Sequence, residues 1–206
     1  MYLFTRNARV LSGGNEIVTD LIALTDFVNR NTELDVSLYS MILGPEPGTI
    51  SWSTLVTNRS ELVDAGDKLA PRDEYWEIVG RVGAHMTPTT DALLTPIHAT
   101  GDIGQKPDFV STIWGQAAAP IPAVAGWCIE MADLATSITG APIVLSANSI
   151  GPMGQFGFMS SGSSVDELEE RTQTIWADER YMAKLGESDG MFQPGVGGTS
   201  TWRKVH

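Results

Sequence analysis

The sequence predicts an α+β fold in which one βαββαβ unit occurs twice, as residues 1–103 and 104–206. The first observation behind this prediction is a repeated turn, because Leu43-Gly44-Pro45 recurs as Ile150-Gly151-Pro152 about 107 positions later. A repeated amphipathic pattern and a repeated helix-capping pattern are the other two. Since internal repeats decide the architecture of a chain, these matches predict two copies of one supersecondary unit.

The first half is predicted to start with a strand, and the amphipathic pattern then predicts a helix. Its apolar residues recur at the 3.6-residue period of one helix face. The second half repeats the pattern with the same spacing. The matched positions are Ile17, Leu21, Leu24, Phe27 and Val28 in the first half, and Val124, Cys128, Met131, Leu134 and Ala135 in the second.

The capping pattern marks the start of a second helix in each half. In a capping box, a polar side chain at the helix start is answered three residues later by Glu or Gln, and the two side chains bind free backbone N–H groups. Asn58 with Glu61 has this form, and so has Ser164 with Glu167. Further along, Asp73-Glu74-Tyr75-Trp76 aligns with Asp178-Glu179-Arg180-Tyr181 at an offset of about 105.

Each half is therefore predicted to run strand, helix, strand, strand, helix, strand. The first half has strands at Tyr2–Val10, Leu34–Ile42, Thr49–Val56 and Asp91–Ala99, and helices at Asn15–Asn31 and Ser60–Met86. The second half has strands at Phe109–Gln116, Ile143–Ile150, Gln155–Ser161 and Thr199–Val205, and helices at Ile121–Thr139 and Val165–Leu185.

Proline and glycine modify this pattern at three places. Pro71 lies inside the second helix of the first half, where its ring and missing N–H predict a kink or a split. The glycine-rich stretches Gly151–Gly154 and Gly195–Thr199 lack both the lysine of a phosphate-binding loop and a strand-to-helix setting, so they are interpreted as turns.

The composition indicates a globular protein, with 42% hydrophobic residues and a formal net charge of −12. An acidic surface opposes binding to the phosphate backbone, so no nucleic-acid partner is expected. No leader-like segment and no apolar stretch of bilayer length is present, which predicts a cytoplasmic protein without a membrane partner. The single cysteine, Cys128, has apolar neighbours and is expected to be a buried core residue.

A βαββαβ unit forms a four-stranded antiparallel sheet that carries both helices on one face and leaves the other face bare. The second copy is the simplest cover for that bare face. We therefore expect the two sheets to pack face to face as an α/β barrel that encloses a lumen.

In element order, repeat length and the duplicated Gly-Pro turn, the chain resembles the dimeric α/β-barrel superfamily, in particular members that carry the ferredoxin-like unit in tandem. The resemblance extends over nearly the whole chain. Within that superfamily the chain resembles NIPSNAP-like proteins and antibiotic-biosynthesis monooxygenases, and polyketide cyclases and chlorite dismutases share the fold. The resemblance implies that function resides in the barrel lumen, but the chemistry must come from the residues found there.

Strand alternation predicts which side chains enter the lumen. In the second strand Leu34, Val36 and Leu38 form the face under the helices, so Tyr39 and Met41 face the lumen. By the same alternation Thr112, Trp114 and Gln116 share one face of the fifth strand, and Val144, Ser146 and Asn148 share one face of the sixth. Trp52 is expected under a helix.

Five of these side chains form the predicted site together with His98, which shares one face of the fourth strand with Leu94 and Pro96. His98 and Tyr39 are the candidate catalytic residues, because a histidine exchanges protons near neutral pH and Tyr39 can exchange a proton with the substrate. Trp114 would stack on an aromatic ring, and Met41 would add an apolar contact. Asn148 and Gln116 would bind an enolate-like oxygen.

No metal or organic cofactor is expected. The haem-binding relatives use a histidine from the second repeat as the iron ligand, whereas residues 99–205 contain no histidine. Cysteine pairs, a His-x-x-x-His motif and calcium-binding loops are also absent from the sequence.

Two hypotheses of different classes remain open. In the first, the protein is a cofactor-independent monooxygenase or cyclase that acts on an aromatic or polyketide-like substrate. In the second, it is a non-catalytic protein that binds a small apolar or aromatic ligand or acts as an oligomeric assembly module. Self-association is expected from the behaviour of the relatives. A convergence of His98, Tyr39 and Asn148 on one cavity would distinguish the enzyme from the binding module.

Overall fold

A computed structural model describes residues 1–102 and 106–206 of the chain. These residues form two compact units. The first unit consists of Met1–Leu94 together with Arg203–His206, and the second consists of Thr95–Trp202. The predicted repeat boundary between residues 103 and 104 lies outside the described residues.

The predicted element order is confirmed, with one extra helix in each half. The first half contains β1 (Tyr2–Arg9), α1 (Gly14–Asn31), β2 (Ser37–Leu43), β3 (Thr49–Val56), α2 (Ser60–Leu69), α3 (Asp73–Gly83) and β4 (Thr90–Ala99). The second half contains β5 (Phe109–Ala117), α4 (Ile121–Thr139), β6 (Ile143–Ile150), β7 (Gln155–Gly162), α5 (Val165–Ala177), α6 (Glu179–Gly186) and β8 (Phe192–Lys204).

The strands follow the hydrogen-bonded order β1-β3-β2-β8-β5-β7-β6-β4, which closes on itself as an antiparallel barrel. This topology confirms the predicted α+β class with two tandem ferredoxin-like repeats. The hairpins β2–β3 and β6–β7 are joined by the duplicated Gly-Pro turns. Two strands are shared between the units, because β4 crosses from the first unit to the second and the last residues of β8 return to the first.

The core of the first unit lies between α1, α3 and the sheet. Leu38 is fully buried, and Leu21 and Val82 are 2% and 1% exposed. Trp52 is buried beneath α1, where its indole Nε1 donates a hydrogen bond of 3.1 Å to Thr25 Oγ1. The expectation that Trp52 lies under a helix is therefore confirmed. A satisfied indole N–H explains how so large a polar aromatic side chain fits in an apolar core.

The long second helix is split in both halves, and different residues cause the two breaks. In the first half α2 ends at Leu69 and α3 begins at Asp73, as the proline at position 71 predicts. In the second half the prediction of one continuous helix at Val165–Leu185 is wrong, because α5 ends at Ala177 and α6 begins at Glu179. There Asp178 adopts an extended backbone and caps α6, accepting from the N–H groups of Arg180 and Tyr181.

The glycine-rich stretch at residues 195–199 is not a turn, which corrects the interpretation of its sequence. It belongs to β8, which begins at Phe192 rather than at Thr199. Gly197 comes so near β5 that an added Cβ would lie 2.6 Å from the Trp114 carbonyl oxygen. Glycine is required there for close approach of two backbones, which outweighs its low preference for strands.

Both units contain the same kind of contact between a histidine and a carboxylate. His98, near the end of β4, lies with Nε2 2.7 Å from the Asp133 carboxylate of α4. In the first unit, His206 Nε2 lies 2.7 Å from the Asp26 carboxylate of α1. The end of the last strand of each repeat is thus fastened to the first helix of the other repeat.

Candidate functional site

The duplication makes the two repeats comparable position by position. Glu61 accepts hydrogen bonds from the Thr57 N–H, and Glu167 accepts one of 2.7 Å from the Ser163 N–H. These two caps stand 106 positions apart. The N-cap residues of α3 and α6, Arg72 and Asp178, keep the same spacing, which replaces the offset of about 105 inferred from the sequence.

Three core positions hold smaller side chains in the second repeat than in the first. Trp52 of β3 corresponds to Phe158 of β7, and Val82 at the end of α3 corresponds to Ser188 after α6. On the first helix, where the matched positions stand 107 residues apart, Val28 corresponds to Ala135. Interiors are packed closely, so side chains that are too small leave a void unless the backbone moves inward.

A cavity of about 430 Å³ occupies this place in the second unit. It lies between the helices α4, α5 and α6 and the sheet of that unit, and the three smaller side chains are all in its wall. Its apolar lining includes Ile113, Trp114, Trp127, Met131, Ala135, Ile143, Phe158, Met159, Leu168, Ile175, Leu185, Phe192 and Val196. A volume of this size is typical of small-molecule sites.

Arg171 is the one charged side chain among the described residues that line the cavity. It lies on α5 with 26% of the side chain exposed. Its guanidinium donates to the Ser161 carbonyl oxygen and to the Glu167 carboxylate. Hydrogen bonds from Ser163 to Glu167 lower the pKa of this carboxyl, and Arg171 adds to the effect. The arginine is therefore held in a fixed position by an ionised partner.

Tyr181 of α6 is the ionisable phenol of the cavity wall. Burial raises its pKa above the usual value of 10, because desolvation disfavours the charged phenolate. The phenol is thus neutral at physiological pH and can donate a hydrogen bond. In the first unit the corresponding Tyr75 packs against Phe27, with ring centroids 6.3 Å apart. The same residue type fills the core in one repeat and borders a cavity in the other.

Asp178 supports Tyr181 by capping α6. Its pKa is lowered from 3.8 to about 2, chiefly by the hydrogen bond from the Arg180 side chain. A carboxyl whose pKa is lower in the folded state stabilises the fold above its unfolded pKa, and this stability is lost as the pH falls from about 4 to about 2.

We expect a carboxyl-carbon NMR titration to give a midpoint for Asp178 near pH 2. In the Arg180→Gln variant the midpoint should rise towards 3.8, while the bonds from the α6 backbone keep it below that value. A wild-type midpoint at the ordinary value would contradict the cap.

The structure brings two of the predicted substrate-binding residues together. Asn148 donates from its amide to the Gln155 side chain, and Gln155 is the cross-strand partner of Gln116. Gln116 also donates to the Met153 carbonyl oxygen in the β6–β7 turn. Gln155 was not among the predicted site residues, although it is the first residue of β7 and lies opposite the predicted site residue Gln116.

Trp114 is the predicted site residue that borders the cavity. Thr112 of β5 and Ser200 of β8 form a hydrogen bond between their hydroxyl groups, which lie 2.7 Å apart. The Trp202 indole N–H donates to the Ser200 hydroxyl at 2.9 Å. Trp202 lies within the predicted strand Thr199–Val205 but was not among the predicted site residues.

His98 does not lie with these residues. Its ring is bonded to Asp133 on the helix side of the second unit, whereas the analysis of alternation placed it in the lumen. The reason is that α4 lies over the end of β4, which strand alternation alone does not reveal. His98 is absent from the cavity lining. Its catalytic role stays a prediction.

Tyr39 and Met41 belong to the first unit and are 8% and 9% exposed. Tyr39 pairs across the strands with Ser51, whose hydroxyl lies 3.1 Å from that of Ser53. This face of the sheet is partly polar, as the alternation predicts. The assignment of Tyr39 as catalytic and of Met41 as a substrate contact stays a prediction.

Two further properties bear on cofactors and membranes. Within residues 1–102 and 106–206, no group of three or more His, Cys, Asp or Glu side chains is arranged to hold a metal ion. Helix α4 is long and apolar enough to span a membrane by length and composition alone. It also supplies Val124, Cys128 and Met131 to the core of the second unit, and core helices share such a composition.

No protein-family model matches the chain, and no curated protein is similar in sequence. Solved structures are similar in fold. A "putative monooxygenase" of Fusobacterium nucleatum has a TM-score of 0.68 at 6% identity, with 100% of this chain and 93% of that chain covered. An "anthrone oxidase-like protein" reaches 0.69 at 12% identity, with 100% and 92% covered.

A "putative monooxygenase" of Lactobacillus acidophilus gives a TM-score of 0.63 at 12% identity, with 100% of this chain and 94% of that chain covered. At these identities the likeness establishes the fold and leaves the activity open. The chain has the dimeric α/β-barrel fold. It is the tandem form of that fold, in which one chain carries both ferredoxin-like repeats.

Proposed function

We propose that the protein binds a small apolar or aromatic molecule in the cavity of the second unit. The observation that carries this proposal is the comparison of the two repeats. At three positions of the cavity wall the first repeat has larger side chains, Trp52, Val82 and Val28, all of them in or packed against its core cluster. An unfilled cavity of that size lowers stability. A ligand that occupies it and binds only the folded protein compensates for that loss.

The wall chemistry supports an aromatic ligand. Trp127 and Phe192 meet edge to face, with centroids 5.6 Å apart, and Phe158 and Tyr181 add two more rings. Such rings offer flat apolar surface, while a few polar groups fix the orientation of the ligand. The neutral Tyr181 phenol and the Arg171 guanidinium are the strongest hydrogen-bond donors of the lining.

The finer proposal is cofactor-independent oxygenation or cyclisation of an aromatic or polyketide-like substrate. The names of the similar structures, monooxygenase and anthrone oxidase-like, support this class of chemistry. Neither His98 nor Tyr39 borders the cavity. Chemistry inside it would therefore depend on Tyr181 as proton donor to a developing oxyanion, with Arg171 stabilising the negative charge.

The non-catalytic alternative has its own supporting observation. Helix α4 begins with three exposed apolar residues, Ile121, Pro122 and Ala123, of which Ile121 is 44% exposed. Exposed apolar patches are typical of contacts between subunits. As a binding or assembly module, the protein would keep the cavity and form homo-oligomers without turnover.

Restoring the first-repeat side chains tests the ligand site. The triple variant Ala135→Val, Phe158→Trp, Ser188→Val should raise the free energy of unfolding by about 0.5–2 kcal/mol, because added methyl groups and a larger ring fill the void. It should also lose most of its affinity for N-phenyl-1-naphthylamine, an uncharged aromatic dye. Thermal unfolding and fluorescence titration measure the two effects.

Ala123→Val is the matched control, since Ala123 is an exposed alanine of the same helix. It should leave dye affinity unchanged. If the triple variant binds the dye as tightly as the wild type, the cavity is not the ligand site. For the enzymatic part, oxygen uptake with anthrone is the assay: uptake that falls in Tyr181→Phe supports the oxygenase, and uptake no faster than the uncatalysed background favours the binding module.

A further inference from the structure

We propose that the cavity of the second unit selects an aromatic ligand that carries a carboxylate or another anionic oxygen group, and that Arg171 determines this specificity. The inference rests on the proposed function, because it takes the cavity to be a ligand site. To the proposed function it adds the charge of the ligand and the residue that recognises this charge.

The first repeat shows that the fold does not need an arginine at this position. Arg171 corresponds to Ala65 of α2, which is 5% exposed within the first unit. The helix cap does not need it either. Glu61 binds the Thr57 N–H without an arginine one turn later, just as Glu167 binds the Ser163 N–H. A structural role therefore leaves the choice of a long cationic side chain unexplained.

The guanidinium retains donors for a ligand. Of the five N–H groups that an arginine offers, one donates to the Ser161 carbonyl oxygen and one to Glu167, and no bond within the described residues uses the other three. Both acceptors lie outside the cavity lining. They restrict the rotamers of Arg171 in advance, which reduces the entropy lost when a ligand is bound.

The charge distribution around the cavity favours an anion. The chain carries a formal net charge of −12, and this excess repels anions from most of the surface. Yet the described lining contains no carboxylate, and its one formal charge is positive. In a partly buried site that attraction is stronger than on a wet surface. An acidic protein thus contains a cavity whose described lining includes a cation and no carboxylate, and Glu167, which pairs with that cation, lies outside the lining.

The remaining polar groups select the same kind of ligand. Tyr181 is a neutral phenol that can donate to an anionic oxygen, and the hydroxyls of Ser111 and Ser160 lie on the floor formed by β5 and β7. The Trp127 indole is not available, since it donates to the Lys184 carbonyl oxygen at 3.1 Å. A lining that combines aromatic rings with hydrogen-bond donors suits a flat molecule with an acidic group.

The test compares two dyes of similar aromatic size on the purified full chain. 8-Anilinonaphthalene-1-sulfonate carries an anionic group, and N-phenyl-1-naphthylamine is its uncharged analogue. We expect the wild type to bind the anionic dye more tightly. Arg171→Ala, which installs the residue of the first repeat, should weaken that dye by about 10- to 100-fold, the loss typical of a hydrogen bond to a charged group. Affinity for the uncharged dye should change less than twofold.

Two further variants complete the design. Arg171→Lys keeps the charge and should retain most of the preference for the anionic dye. Arg180→Ala removes an exposed arginine of the same unit that pairs with Asp178 and does not border the cavity, so both affinities should remain. Thermal unfolding of each variant establishes that it is folded at the temperature of the titration.

The outcomes separate the two proposals. Equal weakening of both dyes in Arg171→Ala would make the arginine a structural residue and overturn the inference. An unchanged preference of that variant for the anionic dye would also overturn the inference, since another group would then bind the anionic charge. If neither dye binds, or if both bind undiminished to the variant with the filled cavity, the proposed ligand site itself fails.

Discussion

Replacing Leu38 by alanine should lower the free energy of unfolding by about 2–5 kcal/mol, the range for leucine deletions in well-packed cores. Leu38 is fully buried in the cluster that α1 and α3 form on the sheet. Its N–H donates to the His206 carbonyl oxygen at 2.8 Å, and its carbonyl oxygen accepts from the Val205 N–H at 2.7 Å, so both backbone groups are bonded to the end of the chain. Because those bonds hold the strand in place, the void cannot collapse easily.

Urea unfolding followed by circular dichroism measures the loss. Leu43→Ala is the control, because Leu43 belongs to the same strand and is 57% exposed. It should change stability by less than about 0.5 kcal/mol, as surface substitutions usually do. A Leu38→Ala variant as stable as the Leu43→Ala variant would contradict the packing of the first unit.

The second large effect is expected for Gly197→Ala. The new Cβ would lie 2.6 Å from the Trp114 carbonyl oxygen and 3.3 Å from the Gly115 Cα, both of them backbone atoms of β5. Neither can rotate away, so β8 must separate from β5 along the wall of the cavity. We expect a loss of about 3 kcal/mol, the upper part of the range for overpacked sites, together with weaker dye binding.

Gly198 provides a neighbouring control for this substitution. A Cβ at Gly198 would meet the Trp114 indole at 3.7 Å, which is an ordinary contact. Gly198→Ala should therefore cost much less stability and leave dye affinity near that of the wild type. If the Gly197→Ala and Gly198→Ala variants prove equally stable in thermal unfolding, the close approach of β8 to β5 at Gly197 is contradicted.

The sequence predicts the repeat, its strand and helix order and the faces of the first unit, because these depend on local periodicity. The positions of α1 and α4 follow from apolar residues at helical spacing, and the break before α3 follows from Pro71. The break before α6 could have been predicted as well. Asp178 precedes Glu179 as an N-cap residue precedes a helix, but the apolar pattern of the surrounding residues concealed it.

The cavity could not be predicted from local pattern. Its volume is set by how far three helices lie from a sheet, and this distance depends on many side chains at once. The sequence indicates the cavity only through a comparison of aligned core positions, Trp52 with Phe158 and Val82 with Ser188. That comparison needs the correct offset of 106, which the capping carboxylates establish in the structure.

The candidate site residues show the same division. Gln116 and Asn148 were chosen by strand alternation, and their role in substrate binding stays a prediction. Arg171 and Tyr181 were not singled out as site residues, since on an amphipathic helix a single arginine or tyrosine looks like an ordinary boundary residue. The position of His98 depends on where α4 crosses the sheet, which is a tertiary property.

The return of Arg203–His206 to the first unit has a consequence for the order in which the protein is made. A ribosome releases the chain from its amino end, so Leu38 and its strand emerge long before the residues that pair with them. Until those residues arrive, β2 has an open edge that could join the wrong strand. The first repeat is translated first, yet it can be completed only after the second has left the ribosome.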